Sequence, residues 1–409
     1  ALGYGTAALA VAVLRRRGRE VSVAVALVGA VLVPLLALVL TGRGQSEVGV
    51  IERSGQLLLH TGTPYLAEPQ TVEEYTPYLP GMALLGLPRA LLGDSPLGDA
   101  RLWCALVFLL CMLRTVPGGR GPGGYALGGY ALGRHRPGRY GLGRYGLGGY
   151  ALIASPPVAL PLCVSGVDLP LTGLLWLSLV RAGERRPVAA GLALAAACSL
   201  KWTAWPAVAV VAALLAATAG RRAALRGTAV AVGGAALLVL PGALRSPGPL
   251  VRQVFAFPTG RGGLPTPAAS PLPGRLLADL GPPGWYAAVG LLLLAGLAVG
   301  ASLLLRPPLS AAGAAHRLAL GLTAAFLLAP AGRFGYLALP LVLVLLASIS
   351  RERGLPWAPP SSSPTTIRRV RAASRPSSTP WPPACPARSW STPPPSPVRP
   401  ATTPLSPFR

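Results

Sequence analysis

VSVAVALVGAVLVPLLALVLT, residues 21–41, carries no charge and one proline, Pro34. An α-helix needs about 20 consecutive apolar residues to cross the hydrocarbon core of a bilayer, so this stretch reads as a membrane span. The same texture recurs outward from it, in apolar runs near 98–115, 150–164, 168–181, 187–200, 203–219, 227–244, 284–305, 316–331 and 335–350. Residues 6–14 read as the end of a preceding helix. The expected fold is all-α and integral to a membrane, a polytopic helical bundle over residues 1–350 with about 9 to 11 spans.

Composition points the same way. Of 409 residues 52% are hydrophobic and only 12% charged, against roughly 25% charged in a soluble domain, which excludes a soluble enzyme. The formal charge of +25 comes from 37 Lys and Arg against 12 Asp and Glu. Such an excess fits nucleic acid, an acidic membrane surface, or the basic loops on the cytoplasmic side of a membrane protein. Lys201 is the only lysine, asparagine is absent, and Ala, Gly, Pro, Leu and Val dominate, a usage that reads as GC-rich, actinobacterial coding. Four of the five cysteines lie in apolar runs and none forms C-x-x-C, so they read as small buried hydrophobes. The chain begins at Ala1 rather than Met, which suggests a fragment lacking a signal peptide or an earlier span.

Placement settles the charge. The cluster Arg15, Arg16, Arg17 and Arg19 precedes the first complete span and is expected inside. Alternation then puts 42–97 outside, 115–149 inside, and the turns at 164–168 and 201–205 outside. Residues 245–283 and 332–334 are also outside, and the C-terminal tail inside. Nucleic acid is not an expected partner; membrane lipids are. Residues 123–152 are a tandem pentapeptide, GGYAL GGYAL GRHRP GRYGL GRYGL GGYAL, whose glycine density disfavours a helix. It reads as a tolerated cytoplasmic expansion, the alternative being an Arg/Tyr segment for acidic headgroups. Residues 351–409 form a tail that turns Pro-, Ser-, Thr- and Arg-rich without apolar periodicity. They are expected to be disordered, and have also the character of a GC-rich gene read out of frame.

The chain has no G-x-x-x-x-G-K-[ST] phosphate loop, no H-E-x-x-H and no EF-hand loop. His60, His135 and His316 fall in different loops. What remains is a set of ionisable groups at the outer ends of spans, where charge is costly unless it has a task. Asp168, in SGVDLPLTG, reads either as a helix cap or as a site carboxylate. Lys201, in LKWTAW, reads either as a snorkelling amine or as a site cation. Arg333, in PAGRFGYLALP, adds a guanidinium that can hold a phosphate bidentately. Glu47 and Glu52 follow the first complete span in GRGQSEVGVIERSGQLLLHTGTPYL. Beyond them TPYLPGMALLGLPRALLG, residues 76–93, fits a helix lying along the outer interface.

At these residues the sequence resembles actinobacterial members of the polyprenol-phosphate-mannose-dependent mannosyltransferase-like family, glycosyltransferase family 87 of the GT-C superfamily. The resemblance covers about residues 21–350. Its carriers are ERSGQLLLHTGTPYL, EYTPYLPGMALLGLPRALLGD, SPPVALPLCVSGVDLPLTGLLWL, SLKWTAWPA, SPLPGRLLAD and PAGRFGYLALPLVLVLL, in that order. It implies a GT-C-like bundle whose first outer loop carries a catalytic carboxylate and which draws a lipid-linked sugar donor from the membrane. The family pattern has Asp in that loop; the matching stretch here offers Glu47, with Glu52 five residues on.

The expected function is that of a multi-pass cell-membrane mannosyltransferase-like enzyme. It would move a mannose-like sugar from a polyprenyl-phosphate donor to an extracytoplasmic glycan or glycolipid acceptor of the cell envelope. Glu47, then Glu52, is the expected base, and Arg333 and Lys201 bind the donor phosphate. Asp168 orients the acceptor or holds a divalent cation, for which Mg2+ or Mn2+ would be the candidates. The alternatives are a transporter or lipid flippase, and a membrane protein copy without activity.

Overall fold

The computed structural model describes residues 2–14, 18–115 and 145–352. Regular structure among them is helical, and one isolated parallel bridge pairs Ala269 with Gly332. The cluster Arg15–Arg17, the repeat up to residue 144 and the tail from 353 lie outside the described residues.

In chain order, α1 (Leu2–Val13) precedes a 23-residue helix, Gly18–Leu40, in which α2 (Gly18–Ala26) and α3 (Val33–Leu40) flank a π-helical stretch at Leu27–Leu32. Pro34 accounts for that stretch: it has no amide hydrogen, its ring crowds the carbonyl of Ala30, and the wider turn relieves both. The buried Cys163 thiol donates to the carbonyls of Ala30 and Val31 there. Next come α4 (Ser46–Thr61), α5 (Leu87–Leu92), α6 (Ala100–Thr115), α7 (Tyr145–Ala154), α8 (Pro156–Val164), α9 (Leu169–Gly183) and α10 (Pro187–Leu200). The chain continues through α11 (Pro206–Ala219), α12 (Arg221–Arg245), α13 (Pro247–Leu250), α14 (Pro273–Ala278), α15 (Pro282–Leu305), α16 (Ala311–Leu328) and α17 (Ala338–Glu352).

Among the described residues five helices are long and apolar enough to cross a membrane: Gly18–Leu40, Trp202–Ala219, Arg221–Arg245, Pro282–Leu305 and Ala311–Leu328. A sixth is added if Leu147–Ala154 and Pro156–Val164, bent by 55° at Ser155, count as one broken span. The protein is therefore a helical membrane protein by its apolar helices. The other apolar runs read above as spans form shorter helices, such as α9 with 15 residues and α10 with 14. Pro170 and Pro187 in their first turns set where they begin, and 14 residues of helix rise only about 21 Å.

α9 is the centre of the bundle. Leu171, Leu175, Leu179 and Ala182 are buried along it, one or two per turn, against α6, α10, α11, α16 and α17. α10 and α12 approach so closely that a Cβ on Gly191 would lie 2.6 Å from the Gly227 carbonyl oxygen. The helix ends sort into two levels. Arg181 Nη2 donates to the Arg114 carbonyl, joining the ends of α9 and α6 at one level. At the opposite level, the Gln45 amide donates to the Val164 carbonyl and joins the start of α4 to the end of α8.

Two local expectations change. Tyr145–Tyr150 belong to the glycine-rich repeat and yet begin α7, because the apolar residues that follow are held in place: Leu152 and Ala154 are buried, and Tyr4 Oη donates to the Ala154 carbonyl. The stretch at 76–93 is not one interfacial helix. A 3-10 turn, Pro80–Leu85, and α5 are separated at Gly86, and Pro80 to Ala83 are buried. Gly86 lies directly against the Ile51 carbonyl of α4, where no side chain would fit.

Candidate functional site

Four of the five residues singled out in the sequence come together. Glu47 lies in the first turn of α4, Asp168 immediately before α9, Lys201 immediately after α10, and Arg333 before the 3-10 turn that leads into α17. All four line one cavity of about 690 Å³.

The site is built from two carboxylate–cation pairs. Lys201 Nζ donates to Asp168 Oδ1 at 2.5 Å, and Arg333 Nη1 donates to Glu47 Oε1 at 2.8 Å. Asp168 holds the capping position of α9 but makes no side-chain capping bond, so of its two readings the structure gives it the partner rather than the cap. The side chains of Lys201 and Asp168 are 15% and 32% exposed, those of Arg333 and Glu47 34% and 26%, so both pairs border the cavity without being sealed from it.

Tyrosines complete the ring. Lys201 Nζ stands 5.2 Å from the ring centre of Tyr78 and 5.5 Å from that of Tyr336, within range for a cation over an aromatic face. Tyr78 is placed by the Leu79 amide donating to the Leu200 carbonyl at the end of α10, and by Tyr65 Oη donating to the Tyr78 carbonyl. Burial works against the charged Lys201 ammonium. The Asp168 carboxylate, Tyr336 and Glu47 outweigh it and raise the pKa above the ordinary lysine value. Burial, then Glu47 and Asp168, pushes the Tyr78 phenol well up, so Tyr78 stays neutral beside a charged Lys201.

Arg333 is held by a strap. Residues 268–270 pair with Gly332, through the Gly332 amide to the Ala268 carbonyl and the Ser270 amide to the Gly332 carbonyl, each 3.0 Å. Arg333 Nε also donates to the Pro267 carbonyl.

Glu52 is elsewhere. Its Oε2 lies 3.4 Å from Arg89 Nε, and its Oε1 accepts from the Ala100 amide at the start of α6. It ties α4 to α5 and α6 and does not border the cavity. A divalent cation has no good home here either. Among the described residues no three His, Cys, Asp or Glu side chains cluster; of the three carboxylates that line the cavity, Glu47 and Asp168 already hold a cation, and Glu73 stands apart from them. That donor set suits an anionic group between Lys201 and Arg333 better than Mg2+ or Mn2+.

Sequence reasoning did not single out Tyr78, Tyr336 or Arg317. The first two stand in the quoted segments EYTPYLPG and GRFGYL, where nothing in the spacing distinguishes them from interfacial aromatics. Arg317 is a cation six residues into the apolar α16. Compared with protein-family models, curated proteins and solved structures, the chain matches none.

Proposed function

We propose that the protein is a membrane glycosyltransferase of GT-C-like architecture with about 9 to 11 spans. It would resemble family 87 and transfer a mannose-like sugar from a polyprenyl-phosphate donor to a glycan or glycolipid hydroxyl at the outer face of the cell membrane. The observation that carries this reading is that Glu47, Asp168, Lys201 and Arg333, from four distant segments, border one cavity whose remaining wall is mostly apolar. Two cations at the head of an apolar groove suit a lipid phosphate, and two carboxylates beside them suit a hydroxyl that must lose its proton.

In the proposed step the acceptor oxygen attacks the anomeric carbon as the bond from that carbon to the phosphate oxygen breaks. The electron pair leaves with the phosphate, whose charge Lys201 and Arg333 stabilise. The acceptor proton passes to Glu47, whose Oε2 makes no hydrogen bond among the described residues. Asp168 keeps Lys201 charged and in place.

General-base assistance contributes roughly a hundred- to ten-thousand-fold in rate. Glu47→Gln should therefore abolish transfer from a polyprenyl-phosphate sugar by purified protein, with lipid-phosphate binding retained. Arg333→Ala should instead weaken donor binding. A Glu47→Gln protein with more than about a tenth of the activity would pass the role to Asp168.

A further inference from the structure

Beyond the ionic ring the cavity turns apolar and follows two helices. On α15 it is lined at Leu292, Gly296, Val299, Gly300 and Leu303, the three- and four-residue spacing of one helix face. Along α16 it runs from Ala329, just past the helix end, through Ala325 and Gly321 to Arg317. Arg317 Nη1 donates to Ser302 Oγ at 2.5 Å, across from one helix to the other. Among the described residues Arg317 has no carboxylate partner, so the groove is apolar along its walls and polar at its far end.

We infer that this groove holds the part of a lipid-phosphate tail nearest the headgroup, and that the Arg317–Ser302 pair is a floor that limits how much tail fits. The inference rests on the reading of the cavity as a lipid-phosphate site, though not on sugar transfer. Twelve residues of helix separate Arg317 from Ala329, a rise of about 18 Å, enough for about four extended prenyl units. A hydrocarbon chain pressed onto the guanidinium would break its bond to Ser302 and cover a half-buried cation, leaving it unsolvated. A longer tail gains nothing from the groove past that point and must lie in the surrounding lipid.

The two glycines supply the test. A Cβ built on Gly296 or on Gly300 meets nothing within 4 Å, so a large side chain at either position occupies the groove rather than the protein core. Gly296 is the nearer to the headgroup and Gly300 lies about 6 Å deeper. The measurement is direct binding of geranyl, farnesyl, geranylgeranyl and decaprenyl phosphate to the full-length protein in detergent, by native mass spectrometry. Each added unit that packs within the groove should tighten binding by roughly two- to five-fold, from contact alone without release of water. Affinity should then level off at geranylgeranyl phosphate.

Gly300→Phe should move that plateau to shorter chains, Gly296→Phe should move it further, and Arg317→Ala should let it rise. Wild-type affinity still climbing from geranylgeranyl to decaprenyl phosphate overturns the inference, as do phenylalanine variants that bind every chain like wild type. An Arg317→Ala protein that loses all four ligands equally also overturns it, because Arg317 would then be holding a phosphate. A plateau in binding without any sugar transfer leaves the inference standing and removes the transferase reading.

Discussion

Arg101 illustrates how far a single side chain can organise this fold. It is 1% exposed and fully engaged: Nε and Nη2 donate to Asp99, Nη1 to the carbonyls of Arg43 and Cys163, and Nη2 to the carbonyl of Leu38. It thereby ties the ends of α3 and α8 to the start of α6 and fixes where α4, with Glu47, begins. A planar five-donor group is needed for this, and an ammonium cannot replace it. Arg101→Ala leaves Asp99 buried without its cation and should destabilise the protein by about 3–5 kcal/mol; Arg101→Lys should recover only part of that. Thermal unfolding in detergent measures both, and wild-type stability in the alanine variant would refute the role. The four cavity residues were legible because each is an ionisable group at the end of an apolar run. Glu52 had the same signature and a different fate, since its partners Arg89 and Ala100 come from later in the chain, where spacing along the sequence says nothing of contact.

At the scale of elements, apolar runs revealed the helices and not their lengths. α9 and α10 are apolar over most of their length, yet prolines and short turns cut them below the length of a full span. Their fit depends on small residues. Besides its 2.6 Å approach to the Gly227 oxygen, a Cβ on Gly191 would lie 2.8 Å from Val230 Cβ, and neither atom is the free end of a flexible side chain. Gly191→Ala should therefore separate α10 from α12 and cost roughly 1–3 kcal/mol. Gly300→Ala should be neutral or stabilising by up to about 1 kcal/mol, because alanine is the better helix former and the space is open. Equal melting temperatures for the two variants would refute this account of α10–α12 packing. Where two helices touch at a glycine is set by their crossing in space, so this contact could not be read from either segment alone.

For the whole molecule, composition alone pointed to a helical membrane protein, and the long apolar helices among the described residues agree with it. Which level faces out is a question of charge. Among the described residues ten Arg and Lys lie near each level. The excess that decides comes from Arg15, Arg16 and Arg17 before the first complete span and from the arginines of 115–149, and the level away from the ionic ring is expected inside. An alkaline phosphatase fusion after Glu74 should be active and a green fluorescent protein fusion there dark. The reverse result would put the ring in the cytoplasm and remove an extracytoplasmic acceptor with it.

The glycines at the α10–α12 contact and those facing the groove are encoded alike. Every one-base missense change in a glycine codon adds at least a Cβ. At Gly191 and Gly227 each such change meets backbone or a neighbouring side chain, whereas at Gly296 and Gly300 it meets open space. Random mutation therefore has two outcomes in one membrane domain: loosened helix packing at the first pair, and a reshaped groove at the second. A lineage could reshape this groove through α15 by single nucleotide steps without touching the α10–α12 contact.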